Sequence, residues 1–300
     1  MTRQQILVPP SGQVRDWTAL GAVLVTVLAW SSAFVVIRWV GETYDPGSLS
    51  LGRLLIGSAL LGLMVRVRRS WVHPTRREWG LLLLCGVAWF AVYNVALNAA
   101  EQRIDAGTTA MLVNVGPILI AVLAGWLLGE GFPRWLMVGA AVALAGALLI
   151  GIATRTAGGA DPLGALLALV AAATYATGVV AQKPVVRRLP ALQVTWLACT
   201  VGAVACVPFA PGLVADLAEA TAGATAGVVY LGVVPTAVAF STWAFALARM
   251  DAGRLGVTTY LAPPLTIALA WGLLGEMPPP LAIAGGLVCL VGVGLSRRRG

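Results

Sequence analysis

Long apolar runs, separated by short polar gaps, make up almost the whole chain. A helix needs about 20 apolar residues to cross the hydrocarbon core of a bilayer, and ten runs have about this length. The pattern therefore predicts an all-α integral membrane protein with ten transmembrane helices. The runs lie near 17–38, 47–67, 78–99, 107–128, 135–153, 162–182, 191–210, 225–247, 254–274 and 279–296.

The charges in the gaps alternate in sign along the chain. Cytoplasmic segments of membrane proteins are rich in Lys and Arg. With the N-terminus in the cytoplasm, sixteen of the twenty Lys and Arg residues fall in cytoplasmic segments. The outer gaps carry the acidic residues Glu42, Asp45, Glu101, Asp105, Asp161, Asp216, Glu219 and Glu276. We therefore expect a multi-pass protein of the plasma (inner) membrane with both termini cytoplasmic.

The two halves of the chain repeat a set of polar positions at a spacing of 146 residues. The matched pairs are Arg103 with Arg249, Asp105 with Asp251, Ala106 with Ala252, Gly107 with Gly253, Pro117 with Pro263, and 127–130 with 273–276, which both read LLGE. The predicted organisation is a tail at 1–16, a five-helix repeat at 17–153, a linker at 154–161, a second repeat at 162–296 and a basic tail at 297–300.

Five spans per repeat would place the second copy upside down in the membrane, because five is an odd number. Inverted repeats are typical of secondary transporters, in which two equivalent halves open a central site to either side in turn. The sequence thus predicts two inverted five-helix repeats and an alternating-access mechanism.

Four segments also resemble a known family. They are LAWSSAFVVIRW in the first helix, Arg53 within LGRLLIGSALL in the second, and the two DAG…P…LLGE segments. Together they resemble the drug/metabolite transporter superfamily, of the ten-helix EamA type. The resemblance implies a 5+5 inverted fold and movement of small metabolites, often export of amino acids or related compounds. The chain has Phe240 where the resemblance leads us to expect Tyr, which weakens a hydroxyl contact there.

Composition excludes several other classes. Hydrophobic residues make up 59% and charged residues 11% of the chain, against about 25% charged residues in a soluble domain. The net charge of +8 comes from basic residues in short gaps, so we expect no nucleic-acid partner. The four cysteines lie in apolar runs and predict neither a disulfide nor a metal site. We expect a small-molecule substrate, a lipid bilayer around the protein, no cofactor, and a monomer or homodimer.

Prolines interrupt two equivalent helices. Pro117 in the fourth helix, and Pro263 with Pro264 in the ninth, each free a carbonyl one turn earlier and allow a kink. Asn114 and Tyr260 occupy matching positions just before these prolines. Broken helices at matching positions point to a transporter site with hinges. Prolines are also tolerated in packed membrane helices, so both interpretations stay open.

Polar and aromatic side chains supply the other candidate ligands. Asn94 and Asn98 share one face of the third helix with Glu101. An amide in hydrocarbon needs a partner, so this face should point inward, either to bind substrate or to hold neighbouring helices. The remaining substrate-binding candidates are Trp30, Ser31, Asn114, Tyr175, Trp243 and Tyr260, with Thr236 among the weaker ones.

Arg53 lies about seven residues into the second helix, roughly 10 Å below the outer surface. An arginine at that depth is costly unless it is paired, hydrated or extended to the surface. It either pairs with Glu101 or Glu42 in an outer gate, which we favour, or holds a substrate carboxylate.

These observations predict a secondary transporter for small amphipathic metabolites, with amino acids the leading class and export the favoured direction. One alternative is a flippase for a lipid-linked carrier, which would favour more cationic residues at depth than Arg53. The other is an intramembrane enzyme. The sequence shows no catalytic constellation, since its one histidine, His73, lies in a cytoplasmic gap.

Overall fold

The structure is a computed structural model, which describes residues 16–104, 109, 112–154, 161–274 and 279–298. The repeated positions 105–107 and 275–276, the tail 1–15 and the linker positions 155–160 lie outside the described residues. The helices in chain order are α1 (Trp17–Val40), α2 (Pro46–Arg68), α3 (Arg76–Glu101), α4 (Gly116–Leu127), α5 (Arg134–Thr154), α6 (Pro162–Val186), α7 (Ala191–Ala205), α8 (Ala210–Glu219), α9 (Ala222–Leu247), α10 (Ala252–Thr258), α11 (Ala262–Leu274) and α12 (Pro280–Ser296).

The protein is an all-α membrane protein. Within the described residues, α1, α2, α3, α5, α6 and α9 are each long and apolar enough to cross a bilayer. The consecutive helices 191–205 and 207–219 would form a seventh span if the bent pair is counted as one. The helices α4 and α12 are apolar but shorter.

The structure does not contain the single straight helix that the apolar run near 191–210 predicted. Helix α7 ends at Ala205, and the chain bends by 50° before it continues to Glu219. Pro208 and Pro211 follow the bend, and a proline has no N–H to continue the hydrogen-bond ladder. The prediction of one continuous helix was therefore wrong at its C-terminal end.

Large apolar side chains cover the outside of the helices. Trp126, Val67 and Leu287 are 75%, 72% and 60% exposed, whereas Asn94 and Asn98 are buried between helices. This distribution suits a lipid environment, because apolar side chains are stable in hydrocarbon and unsatisfied polar groups are not.

Helices α5 and α12 pack through glycines at very close range. A Cβ atom at Gly146 would lie 2.6 Å from the Gly285 carbonyl oxygen, and one at Gly139 would lie 2.6 Å from the Gly292 carbonyl oxygen. Residue numbers rise along one helix as they fall along the other, so the two helices run antiparallel. Small residues allow this backbone approach in membranes.

Two helices contain π-helical turns, Gly86–Val92 within α3 and Gly232–Val238 within α9. A π-helical turn leaves backbone carbonyls without their usual partners. Side chains supply hydrogen bonds to them: the Asn94 amide donates to the Phe90 carbonyl (2.8 Å), and the Thr236 hydroxyl donates to the Leu231 carbonyl (2.8 Å).

Candidate functional site

A cavity lies between side chains of the two halves of the chain. Its empty space, which includes the open mouth, is about 730 Å³. Helices from both halves form the wall, which contains Trp30, Ala33, Phe34, Ile37, Arg53, Trp89, Tyr93, Asn94, Leu97, Val113, Asn114, Pro117, Tyr175, Phe240, Thr259 and Ala262.

Aromatic rings form most of one side of the cavity. The Trp30 ring centroid lies 5.4 Å from Phe240 and 5.1 Å from Trp243, and Tyr175 lies 5.3 Å from Trp89. The Trp30 indole N–H donates to the Pro235 carbonyl (3.2 Å), which fixes the ring. Because each ring is held by others, the site presents a rigid apolar surface to a ligand.

Two interrupted helices meet beside the cavity. Asn114 and Val115 form a turn just before α4, and Thr259–Leu261 forms a 3₁₀ turn between α10 and α11. The Tyr260 hydroxyl donates to the Asn114 carbonyl at 2.7 Å. The two positions that match at a spacing of 146 therefore contact each other across the halves.

Arg53 is buried, 4% exposed, and lines the cavity. Its Nε donates to the Thr236 hydroxyl at 3.1 Å. Among the described residues, no carboxylate oxygen lies within 4.0 Å of the guanidinium. The ion pair with Glu101 or Glu42 that the sequence favoured is thus not formed.

Four of the eight candidate ligands line the cavity, namely Trp30, Asn94, Asn114 and Tyr175. The other four contribute to the packing around it. The Ser31 hydroxyl donates to the Val27 carbonyl (2.7 Å), and the Asn98 amide donates to the Ser50 hydroxyl (3.1 Å). Trp243 is 1% exposed behind Trp30, and Tyr260 holds the Asn114 carbonyl.

Some of the candidate hinge and gate residues line the cavity and others do not. Pro117 and Arg53 line the cavity. Pro263 and Pro264 lie in the first turn of α11, and Glu101 ends α3; these three are outside the lining.

Several lining residues were missed by sequence reasoning. Trp89, Tyr93 and Leu97 all line the cavity. Their spacing of four residues is a helical signal for one shared face. The sequence pattern instead favoured the amides of Asn94 and Asn98, because an amide in an apolar helix needs a polar partner.

Glu130 joins the two halves at one end of the bundle. Its carboxylate accepts hydrogen bonds from the backbone N–H groups of Ala252 (2.8 Å) and Gly253 (3.0 Å), the first residues of α10. Glu130 belongs to the first LLGE segment and Ala252–Gly253 to the second DAG segment. We call this contact the Glu130 cap. The equivalent contact of Glu276 lies outside the described residues.

Comparison with known proteins gives the family. The model of the EamA-like transporter family matches residues 17–152 and again 162–298. The chain belongs to the EamA-like transporter family. It is accordingly a multi-pass membrane transporter rather than an enzyme, and its two family domains are successive along the chain.

Curated relatives of this family member cover most of its length. It is 36% identical over 286 residues to the "Probable terminal-alkyne amino-acid exporter" of Streptantibioticus cattleyicolor, with 94% of each chain covered. It is 32% identical over 270 residues to the "Uncharacterized transporter YdfC" of Bacillus subtilis, covering 88% of this chain and 86% of that one. The "Uncharacterized inner membrane transporter YhbE" of Escherichia coli is 24% identical over 295 residues, with 90% of each covered.

A solved crystal structure has the same fold. It superposes with a TM-score of 0.77, covering 95% of this chain and 97% of its own, at 21% sequence identity. At that identity the likeness concerns the fold alone.

Proposed function

We propose that this chain is a secondary transporter that exports small amphipathic amino acids, or related compounds, across the inner membrane by alternating access. The observation that carries the proposal is the cavity, which lies between two related halves and beside an interrupted helix of each. In transporters with internal repeats, the substrate site lies at the repeat interface and is formed by interrupted helices.

Contacts between matched positions support an inverted repeat. A two-fold axis brings residues on it into contact with their own equivalents. Asn114 contacts Tyr260, and the Ala143 carbonyl accepts from the Cys289 thiol (3.4 Å); both pairs are 146 residues apart. Gly139 approaches Gly292, and Gly146 approaches Gly285. At the 146-residue spacing Gly139 matches Gly285 and Gly146 matches Gly292, so each of these two contacts is the equivalent of the other.

The same arrangement supports ten spans. The seven apolar spans counted with the bent pair become ten when α4, the α10–α11 pair and α12 are included. Equivalent helices α5 and α12 run antiparallel, as they must if the second repeat is inverted. The alternating charges of the gaps support a cytoplasmic location of both termini.

The cavity supports a small amphipathic substrate. Its wall is mainly aromatic and aliphatic, with the polar groups of Arg53, Asn94, Asn114 and Thr259. Most binding free energy would come from apolar contact, and the polar groups would set orientation. A relative named as an amino-acid exporter agrees with this chemistry. A flippase would need room for a lipid-linked headgroup, for which this cavity is small.

Exchange in proteoliposomes tests the proposed substrate. Purified protein should exchange radiolabelled L-propargylglycine, a terminal-alkyne amino acid, or L-leucine against the same unlabelled compound. Ala33→Phe adds a ring to the cavity wall and should abolish exchange, whereas Val25→Phe on the exposed side of α1 should not. If well-folded protein exchanges neither amino acid, the proposed substrate class is wrong.

Labelling of introduced cysteines tests the inverted topology. Phe132 and Pro279 are exposed and follow equivalent helices, and the four native cysteines are buried. A cysteine at Phe132 should react with an impermeant maleimide only from the cytoplasmic side, and one at Pro279 only from the outer side. Reaction of both from the same side would exclude the inverted repeat.

A further inference from the structure

The Arg53 guanidinium is fixed along one edge. Its Nε donates to the Thr236 hydroxyl (3.1 Å), and that hydroxyl donates in turn to the Leu231 carbonyl (2.8 Å). Thr236 is fully buried in the π-helical turn of α9. One edge of the planar group is thus held against α9, and the residue also lines the cavity.

Arg53 forms no ion pair among the described residues, because no carboxylate oxygen there lies within 4.0 Å of its guanidinium. A buried guanidinium without a counter-ion is costly in a membrane protein. The cavity is therefore the place where an anionic group of a ligand would gain most.

The repeated scaffold does not require an arginine at this position. A Cβ atom at Gly232 would lie 3.0 Å from the Arg53 carbonyl oxygen and against the Ile56 side chain. A Cβ atom at Gly86, 146 residues earlier, would lie in the same way 2.7 Å from the Ala198 carbonyl oxygen and against the Val201 side chain. Ala198 therefore occupies the place of Arg53 in the second half. The fold accepts alanine there, so the arginine has a role beyond packing.

The other polar groups of the cavity are neutral. They include the amides of Asn94 and Asn114 and the hydroxyls of Thr259, Tyr93 and Tyr175, and the described lining contains no acidic side chain. A carboxylate can pair with the guanidinium fork through two hydrogen bonds. An ammonium group would find neutral acceptors, such as the side-chain oxygens of Asn94 and Asn114, and the faces of aromatic rings, but no carboxylate in the described lining. The cavity thus offers an anion more than it offers a cation.

We propose that Arg53 binds the substrate carboxylate, and that the carboxylate, not the α-amino group, is the polar feature the site requires. The inference builds on the proposed function and narrows it. The substrate class becomes small apolar carboxylates, which include zwitterionic amino acids and the corresponding acids without an amino group, and it excludes amino-acid amides and esters.

Three related compounds distinguish the contribution of the ligand's carboxylate from that of its α-amino group. L-propargylglycine has both, 4-pentynoic acid keeps only the carboxylate, and L-propargylglycinamide keeps only the amine. Two measurements are needed: thermal stabilisation of the purified protein for binding, and counterflow in proteoliposomes for transport. For the wild type, we expect both acids to stabilise the protein and to inhibit counterflow of labelled L-propargylglycine, and the amide to do neither.

Variants of Arg53 assign the effect to this residue. Arg53→Gln should weaken binding of both acids by at least about tenfold, which is the effect expected when a charge-assisted pair of hydrogen bonds is lost. The variant should then bind the acids no more tightly than the amide. Arg53→Lys should recover part of the affinity, because it keeps the charge without the fork. Arg38→Gln is the matched control, since Arg38 is exposed at the end of α1.

The outcomes separate the two proposals. Equal binding of acid and amide by the wild type, no binding of any of the three, or unchanged acid affinity in Arg53→Gln, would overturn the assignment of Arg53. Binding of the acids that depends on Arg53, without transport of any of them, would support the carboxylate site and contradict the proposed export function. If Arg53→Gln does not fold, the comparison of the three compounds in the wild type decides alone.

Discussion

Removal of the Glu130 cap should shift the balance between the two conformations of the transporter. The carboxylate receives two backbone hydrogen bonds, at 2.8 and 3.0 Å, from the start of α10. The preceding Asp251 makes no side-chain cap of its own, so it does not replace the Glu130 carboxylate at this helix end. Because the cap joins one half to the other, any movement that separates the halves at this end must break it.

The size of the effect follows from the two bonds. A hydrogen bond to a charged group contributes about 1.5–3 kcal/mol, and a helix cap about 0.5–2 kcal/mol. Glu130 is half-buried, and water can replace part of the interaction. We therefore take about 2 kcal/mol for Glu130→Ala, which corresponds to roughly a thirtyfold change in an equilibrium constant. Glu130→Gln keeps an acceptor and should give a smaller shift.

Distance measurements between two spin labels provide the assay. Phe132 and Arg187 are exposed and belong to different halves. In Glu130→Ala, the ratio of the longer to the shorter distance population should rise by about thirtyfold. Glu219→Ala, at an exposed acid outside the cap, should leave the ratio unchanged. Identical distributions in Glu130→Ala and wild type would refute the role of the cap.

Four further predictions follow from the packing and the cavity. Gly146→Ala should destabilise the protein by about 1–3 kcal/mol in thermal unfolding, because its Cβ would meet backbone atoms of α12 at 2.5 Å; Gly294→Ala, with open space around it, should not. Asn94→Ala should lower both melting temperature and transport, because the amide also bonds the π-helical turn. Tyr260→Phe should reduce counterflow by about tenfold through the lost bond to the Asn114 carbonyl, with little loss of expression. Ethidium should not be exported from vesicles, because the described cavity lining has no acid to bind a cation.

The sequence predicts the helices better than it predicts the cavity wall. Run lengths and the 146-residue spacing anticipated most helices, because both depend on local composition. The residues that line the cavity were harder to predict, because a hydroxyl or amide can donate to a backbone carbonyl of its own helix. Ser31 donates to the Val27 carbonyl in this way, and Asn94 to the Phe90 carbonyl. The π-helical turn in α3 also changes the helical phase, so that consecutive Trp89 and Phe90 are both buried.

For Asn94 the structure combines two roles that the sequence left as alternatives. The sequence indicated that this residue either binds substrate or holds neighbouring helices. Its amide satisfies a carbonyl of the π-helical turn, so it is part of the framework as well as of the wall. Pattern alone cannot separate these two roles, because both require a polar side chain on the inner face.

The paired π-helical turns carry information about the history of the chain. A π-helical turn closes its hydrogen bonds over five residues instead of four, so it holds one residue more than an α-helical turn. The turns begin at Gly86 and Gly232 and end at Val92 and Val238, so both boundaries are offset by 146 residues. Two independent insertions at the same place would be a coincidence. We infer that the insertion was already present in an ancestral five-helix protein, before its gene was duplicated and fused.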